Sequence, residues 1–157
     1  MSLQYYVNKF CNLNVNSSNG KKSPHKVCML LAVMDLIRAG HIATNKIEFN
    51  SILKERFTYH FENLAVGNDR NTPENPYFFL RSEGFWHHSY NDGYYPENTK
   101  RYSPKAISYA YVDDELFEYM SSSIVSNELK EALVSNLSDL SSFCLLYTSP
   151  SPRDTRE

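Results

Sequence analysis

The spacing of apolar residues predicts a chain built around one buried helix. Nearly every residue from 27 to 37 is apolar, so a helix formed there has almost no polar face. A helix that is apolar on all sides lies inside a core. Ser23 suits the N-cap because its hydroxyl can accept a hydrogen bond from the first turn, Pro24 suits the first helical position, and Gly40 suits the end. We therefore predict a central core helix between Pro24 and Gly40.

The start of this helix combines free backbone N–H groups with two basic side chains. His25 and Lys26 follow Pro24 directly. Free N–H groups and the helix dipole favour an anion at such a helix end. The same residues also fit an ordinary capped core helix with two solvated basic side chains, so the pattern leaves both interpretations open.

Shorter apolar patterns predict further helices and strands around the central helix. Apolar residues three and four apart predict helices over 3–13, 51–64, 113–119 and 126–140. Short apolar or aromatic runs predict strands over 41–49, 77–81, 85–88 and 106–112. The turn at 82–84 is predicted to join 77–81 and 85–88 in a β-hairpin. This order of elements is that of a winged helix. We predict an α+β fold that is mainly helical, with a winged-helix-like core and a small antiparallel β-hairpin or sheet.

Length and composition narrow the class of protein. The chain has 157 residues, enough for one domain with a real core, and no apolar run long enough to span a membrane. It shows no N-terminal signal peptide, and its three cysteines have no paired spacing. We expect a cytoplasmic protein without a zinc site and without membrane contact.

The charge is unevenly distributed along the chain. The net charge is −2, but residues 1–112 hold 13 Lys and Arg against nine Asp and Glu, whereas residues 113–143 hold one against seven. A basic body with an acidic C-terminal part permits an anionic ligand on one face. It equally permits a solvated acidic helical face that has no partner.

No set of catalytic residues stands out. His87 and His88 are adjacent on a predicted strand, so their side chains point to opposite faces and cannot bind one metal together. No phosphate-binding glycine loop and no zinc-protease or nucleophile motif is present in the sequence. We expect no catalytic residue, no metal and no cofactor in this chain. A nuclease that uses His87 or His88 is the remaining enzymatic interpretation.

Binding chemistry is better represented. His25 and Lys26 begin the central helix, Arg81 follows the first predicted hairpin strand, and Lys100 and Arg101 lie in the long loop 89–105. Cations and free N–H groups of this kind contact the phosphates of nucleic acids. We predict these five residues as phosphate-binding.

Two motifs carry a resemblance to a known family. The first is Ser-Pro-His-Lys at 23–26, followed by the apolar helix that ends in Gly-His-Ile, and the second is Asn-Pro-Tyr-Phe-Phe-Leu-Arg-Ser-Glu-Gly-Phe-Trp-His at 75–87. Together they resemble the sulfur-binding domain of HNH restriction endonucleases that attack phosphorothioate-modified DNA. The similarity extends roughly from Phe10 to Leu140. It implies a partner, double-stranded DNA with phosphorothioate linkages, and a nuclease domain that normally follows.

The resemblance also implies a sulfur pocket. Pro76 corresponds to the pocket proline, with Asn75 and Phe79 beside it. Some members of the family have an aromatic residue where Asn75 stands, and Tyr77 is the residue that can compensate. In the family, basic residues at the positions of His25, Lys26 and Arg101 hold the DNA backbone. Any divalent metal belongs to the nuclease domain.

The last residues break the pattern of the rest. Residues 144–154 read as the translation of a common sequencing adapter, so we expect 144–157 to be a non-native tail and 1–143 to be the recognition domain. Two other functions remain open. One is a plain winged-helix DNA-binding domain that reads a groove with residues 51–64. The other is a protein-binding module that uses the acidic segment 113–143. The sequence leaves a homodimer open as well.

Overall fold

A computed structural model describes residues 2–15, 17–18, 21–64 and 70–138 of the chain. Within these ranges the chain forms an α+β fold that is mainly helical, as predicted. The helices are α1 (Leu3–Cys11), α2 (His25–Ala39), α3 (Ser51–Leu64), α4 (Glu74–Phe79), α5 (Asp114–Ser121) and α6 (Ser123–Ser138). The strands are β1 (Ser17–Ser18), β2 (Lys21–Lys22), β3 (Lys46–Ile47), β4 (Trp86–Tyr90) and β5 (Ile107–Val112). A 3-10 turn, Leu80–Glu83, continues α4.

Helix α2 is the centre of the core, as its apolar pattern predicts. Eleven of its fifteen residues are buried, and the helix ends at Gly40, whose φ of 88° is the left-handed conformation that glycine adopts most easily. The N-cap is Pro24 and not Ser23, because the carbonyl of Pro24 accepts the first helical hydrogen bond, from the N–H of Cys28. The Ser23 hydroxyl is instead directed to His25.

A three-stranded antiparallel sheet packs on this helical core. Its strand order is β3–β5–β4, so the last strand in sequence lies in the middle. Trp86 pairs with Val112 and His88 pairs with Ala110, and all four of these side chains face the core. The predicted strands over 85–88 and 106–112 are confirmed, whereas the predicted strand over 41–49 is reduced to the two residues of β3.

The predicted hairpin is wrong in its first arm. Residues 77–81, predicted as a strand, lie in α4 and in the 3-10 turn that follows it. Pro73 is the N-cap, and Pro76 lies in the first turn, where a missing N–H costs nothing. The aromatic residues Tyr77 and Phe78 are buried by this helix, so tertiary packing outweighs their strand propensity.

The remaining helices surround α2. Helices α1 and α6 pack against each other, and α3 packs along α2. The apolar residues predicted for α1 and α3 are in the core, among them Val7, Phe10, Leu53 and Phe57. The predicted final helix begins earlier than expected, at Ser123.

Two sequence-based expectations concern membranes and the C-terminal tail. In the part of the chain that the structure describes, no helix is both long enough and apolar enough to cross a membrane. The expected non-native tail, 144–157, lies outside the described residues.

Candidate functional site

A cavity of about 610 Å³ opens between the start of α2, the end of the α1–β1 connection and helix α4. Its volume is within the usual range for ligand sites. It is lined by Asn14, Val15, Ser23, His25, Lys26, Arg70, Thr72, Asn75, Pro76, Phe79 and Ser82. The fold therefore brings both sequence motifs, which are about fifty residues apart, to one cavity.

One wall of the cavity is apolar. Pro76 and Phe79 are three residues apart on α4 and so lie on one face of the helix, and Val15 contributes from the opposite side. Phe79 is 48% exposed, whereas Pro76 is buried although it lines the cavity. This wall offers contact with an apolar or polarisable group.

Tyr77 holds the apolar wall in place from behind. Its side chain is only 1% exposed, so it lies in the core and does not line the cavity. Its hydroxyl donates to the carbonyl of Ile47 (2.6 Å) and accepts from the N–H of Ala110 (2.9 Å). Its own carbonyl accepts from Trp86 Nε1 (2.9 Å) and from His88 Nε2 (3.0 Å). Four hydrogen bonds thus fix α4 to the sheet at the residue next to Pro76.

His25 lines the cavity with both ring nitrogens already engaged. Its Nε2 is 2.6 Å from the carbonyl oxygen of Arg70, and its Nδ1 is 2.6 Å from Ser23 Oγ. A carbonyl can only accept, so Nε2 carries the proton and donates to it. The ring also packs on Phe61, with centroids 5.2 Å apart. His25 therefore ties the segment at Arg70 to the start of α2.

Lys26 lies in the floor of the cavity as part of a buried ion pair. Its Nζ donates to Glu83 Oε2 (2.6 Å) and to the carbonyl of Asn14 (2.7 Å), and the same carboxylate oxygen accepts from the N–H of Asn14 (2.9 Å). The side chains of Lys26 and Glu83 are only 10% and 5% exposed. The positive charge of Lys26 is thus neutralised by a partner within hydrogen-bond distance.

Residues 70–72 form the rim of the cavity just before α4. Asn71 Nδ2 donates to the hydroxyl of Thr58 (3.0 Å), and Asn75 Nδ2 donates to the hydroxyl of Thr72 (3.2 Å). Arg70 is exposed, and its guanidinium has no hydrogen-bond or ion-pair partner among the described residues. Asn75 is exposed at the rim, next to Pro76 in sequence.

The other predicted cations lie outside the cavity. Arg81 donates to the hydroxyl of Tyr90 (2.9 Å) and to the carbonyl of Thr99 (3.1 Å), and it stacks on the ring of Phe78. It therefore anchors the loop after β4 rather than offering a free charge. Lys100 and Arg101 are exposed on that loop and do not line the cavity.

The two adjacent histidines have separate surroundings. His87 Nε2 lies 2.8 Å from Asp113 Oδ1, near the surface, whereas His88 is buried and donates from Nε2 to Tyr77. Burial lowers the pKa of His88, so its ring is neutral near neutral pH. The predicted opposite orientation of the two side chains is confirmed. Over the described ranges, no three His, Cys, Asp or Glu side chains are grouped as they would be to hold a metal ion.

Several residues that line the cavity, or that pair with its side chains as Glu83 does, carry no signal in the sequence. Arg70 and Thr72 belong to a polar connection, and Glu83 lies in a segment predicted as a turn. Their importance arises from contacts with residues far away in the chain, 45 positions for Arg70 with His25 and 57 for Glu83 with Lys26. For Arg70, the one sequence signal is that it lies close to Pro73 and Pro76 in the chain.

Comparison with known proteins adds no assignment of its own. The chain matches no protein-family model, and no curated protein sequence matches it significantly. The chemistry of the cavity therefore carries the functional argument.

Proposed function

We propose that this chain is a DNA-binding recognition domain for phosphorothioate-modified DNA, and that it belongs to a modification-dependent HNH restriction endonuclease. The cavity between α2 and α4 is the proposed binding site for one modified linkage. The nuclease domain and its divalent metal would lie elsewhere in the parent protein. The chain described here would bind DNA without cutting it.

One observation carries the proposal. The start of α2, with His25 and Lys26, and the proline-aromatic pair Pro76 and Phe79 line the same cavity although the sequence separates them. The resemblance to sulfur-binding domains rests on these two motifs together. Their meeting at one site is what such a domain requires, and it was not implied by either motif alone.

The composition of the cavity suits a phosphorothioate better than an ordinary phosphate. Sulfur is larger and more polarisable than oxygen and accepts hydrogen bonds weakly. Contact with apolar groups and aromatic rings therefore favours it, whereas an unmodified oxygen at the same place loses hydrogen bonds to water. Pro76, Phe79 and Val15 provide such contacts on one wall. The rim, with Arg70, provides charge for the phosphate.

The first test is a competition binding assay. One duplex would be compared with and without a single stereodefined phosphorothioate, at two salt concentrations. We expect the modified duplex to bind about tenfold more tightly or better, equivalent to about 1.4 kcal/mol. The preference should survive added salt, since the apolar contact is not screened. Equal and strongly salt-dependent binding to both duplexes would reduce the proposal to generic phosphate binding.

Two substitutions test the apolar wall. Pro76→Ala removes two ring carbons at a helical position that alanine tolerates, and Phe79→Ala removes an exposed ring. We expect each to lower the preference for sulfur by about fivefold to tenfold, since about 0.8 kcal/mol is lost per methylene withdrawn from contact. Affinity for unmodified DNA should hardly change.

The matched control is Ile124→Ala, which removes an apolar side chain that is 73% exposed on α6, outside the cavity lining. This variant should keep the full sulfur preference. If Pro76→Ala behaves like Ile124→Ala, the sulfur does not lie against α4.

A further inference from the structure

Among the described residues, His25, Lys26 and Arg70 are the basic side chains that line the cavity, and the first two already have partners within the protein. Both ring nitrogens of His25 are hydrogen-bonded within the protein, to Ser23 and to the carbonyl of Arg70. The ammonium of Lys26 is neutralised by Glu83, and both side chains are nine-tenths buried. Lys26 therefore offers no uncompensated charge to a ligand, and His25 offers no free ring nitrogen.

Arg70 is different because hydrogen bonds hold its backbone while its side chain has no partner among the described residues. Its carbonyl accepts the hydrogen bond from His25, and the next residues are tied to α3 through Asn71 and to α4 through Thr72. Its exposed guanidinium lines the cavity and has no partner among the described residues. A fixed backbone limits the entropy lost when the side chain binds an anion.

We infer that Arg70 is the residue that contacts the anionic group in this cavity, and that the cavity takes one singly charged phosphodiester or phosphorothioate diester. His25 is then a positioning residue for Arg70. Glu83 contributes to the specificity for a monoanion because its carboxylate neutralises the charge of Lys26. That the anion belongs to DNA rests on the proposed function. Binding of small anions by Arg70 can be tested without it.

The charge balance explains the choice of a monoanion. With Lys26 and Glu83 neutralising each other, Arg70 carries the unpaired positive charge among the described lysine and arginine side chains that line the cavity. A diester linkage within DNA has one negative charge and would be matched by it. A terminal phosphate has close to two, and the second would lose water beside the apolar wall without a second unpaired cation among the described residues to compensate it.

The decisive variant is Arg70→Gln, with Arg38→Gln as its control. Both arginines are exposed, and Arg38 lies at the other end of α2. We expect Arg70→Gln to weaken the binding of modified and plain DNA alike, by about tenfold, and to keep the preference for sulfur. The salt slope, which is the slope of the logarithm of the binding constant against the logarithm of the salt concentration, should become smaller by about one. If Arg70→Gln has the salt slope of Arg38→Gln, the inference is wrong.

Glu83→Gln tests the neutral floor. Removing this carboxylate leaves the Lys26 charge unpaired beside the cavity. We expect plain DNA to bind more tightly and the salt slope to rise by about one, so that the preference for sulfur falls. In the double variant Lys26→Met with Glu83→Gln, the slope should return to that of the unmodified protein. An unchanged slope in Glu83→Gln, with thermal unfolding that shows a folded protein, would contradict this part.

Small anions separate this inference from the proposed function. We would titrate the full chain with dimethyl thiophosphate, dimethyl phosphate and methyl phosphate, and follow backbone and arginine side-chain NMR signals. The two diesters should shift the signals of Arg70 and of residues 75–79, and methyl phosphate should shift them less. Shifts centred on Lys100 and Arg101, or none at all, would overturn the inference. If Arg70 responds but DNA shows no preference for sulfur, only the proposed function fails.

Discussion

At the residue scale, Tyr77 decides where the apolar wall of the cavity stands. The residue is buried and joins three parts of the fold, because its hydroxyl reaches β3 and β5 while its carbonyl holds Trp86 and His88 of β4. Burial raises the pKa of its hydroxyl well above the ordinary value for tyrosine, so it stays protonated and able to donate. Pro76 is its neighbour in the chain, and the position of the wall follows from this anchor.

Tyr77→Phe should therefore destabilise the fold and loosen the site. The change leaves the N–H of Ala110 and the carbonyl of Ile47 without their partner in a dry interior, at a cost of about 2–3 kcal/mol. Urea unfolding at neutral pH would measure it. The control is Tyr94→Phe, on an exposed side chain, which should change the free energy of unfolding by less than about 0.5 kcal/mol. Equal stability of the two variants would contradict the anchoring role.

At the element scale, one carboxylate joins three helices. Asp35 is a polar residue within the apolar helix α2, and its oxygens accept from Arg56 Nε (2.7 Å) and His60 Nε2 (2.6 Å) of α3. Lys130 of α6 lies 3.2 Å away. Burial would raise the pKa of Asp35, but the hydrogen bonds from His60, Arg56 and Lys130 outweigh it and hold the pKa well below the ordinary value.

Asp35→Asn should loosen the packing of α3 and α6 on α2. The amide keeps the shape but leaves three basic groups without their anion, and we expect a loss of about 2 kcal/mol, since the cluster is only partly buried. Thermal unfolding would measure it, with the exposed Asp92→Asn as control.

The binding site should be little affected by Asp35→Asn. Asp35 lies ten residues along α2 from His25, which corresponds to about 15 Å. A variant that stays folded should therefore keep its affinity for DNA. A loss of affinity without a loss of stability would mean that this cluster takes part in binding.

At the scale of the whole molecule, stability against pH combines two groups that titrate in different ranges. Burial is the main cause that lowers the pKa of His88, and His88 Nδ1 is buried without a hydrogen-bond partner. The unfolded chain therefore takes up a proton at His88 near pH 6.5 that the folded chain takes up only at lower pH. Asp35 acts at lower pH still, since the stability it provides is present above its ordinary pKa and is lost as the pH falls further.

We expect the free energy of unfolding to fall as the pH drops below about 6.5, by up to about 1.4 kcal/mol per pH unit from His88 alone. A second decline should begin near pH 4, when the unfolded chain protonates Asp35 and the folded chain does not. Urea unfolding between pH 4 and pH 8 would show the first step, and His88→Gln should flatten it. A flat profile between pH 6.5 and pH 5 in the unmodified protein would contradict the buried, neutral state of His88.

Much of the fold is readable in the sequence because it depends on local patterns. The all-round apolar run 27–37 can be stable in water only as a buried helix, and Gly40 ends it by a local backbone preference. The same holds for α1, α3 and the strand β5, whose spacing is regular. The predicted strand over 77–81 is wrong because aromatic residues fit a buried helix as well as a strand, and contacts of Tyr77 with β3 and β5 favour the helix.

The residues of the site also differ in whether local patterns or contacts between distant segments explain them. The central helix and the basic residue His25 at its start could be predicted from residue types and spacing, because both depend on local patterns within one segment. Pro76 and Phe79 were implied as pocket residues by the family resemblance, whereas the local pattern predicted a strand over 77–81. Which charges of the described residues have partners depends on contacts between distant parts of the chain. Lys26 pairs with Glu83, and His25 with the carbonyl of Arg70, across 57 and 45 positions of the chain. The net charge of a cavity depends on all the charged groups that the fold brings together there. Spacing along the chain does not reveal which groups these are.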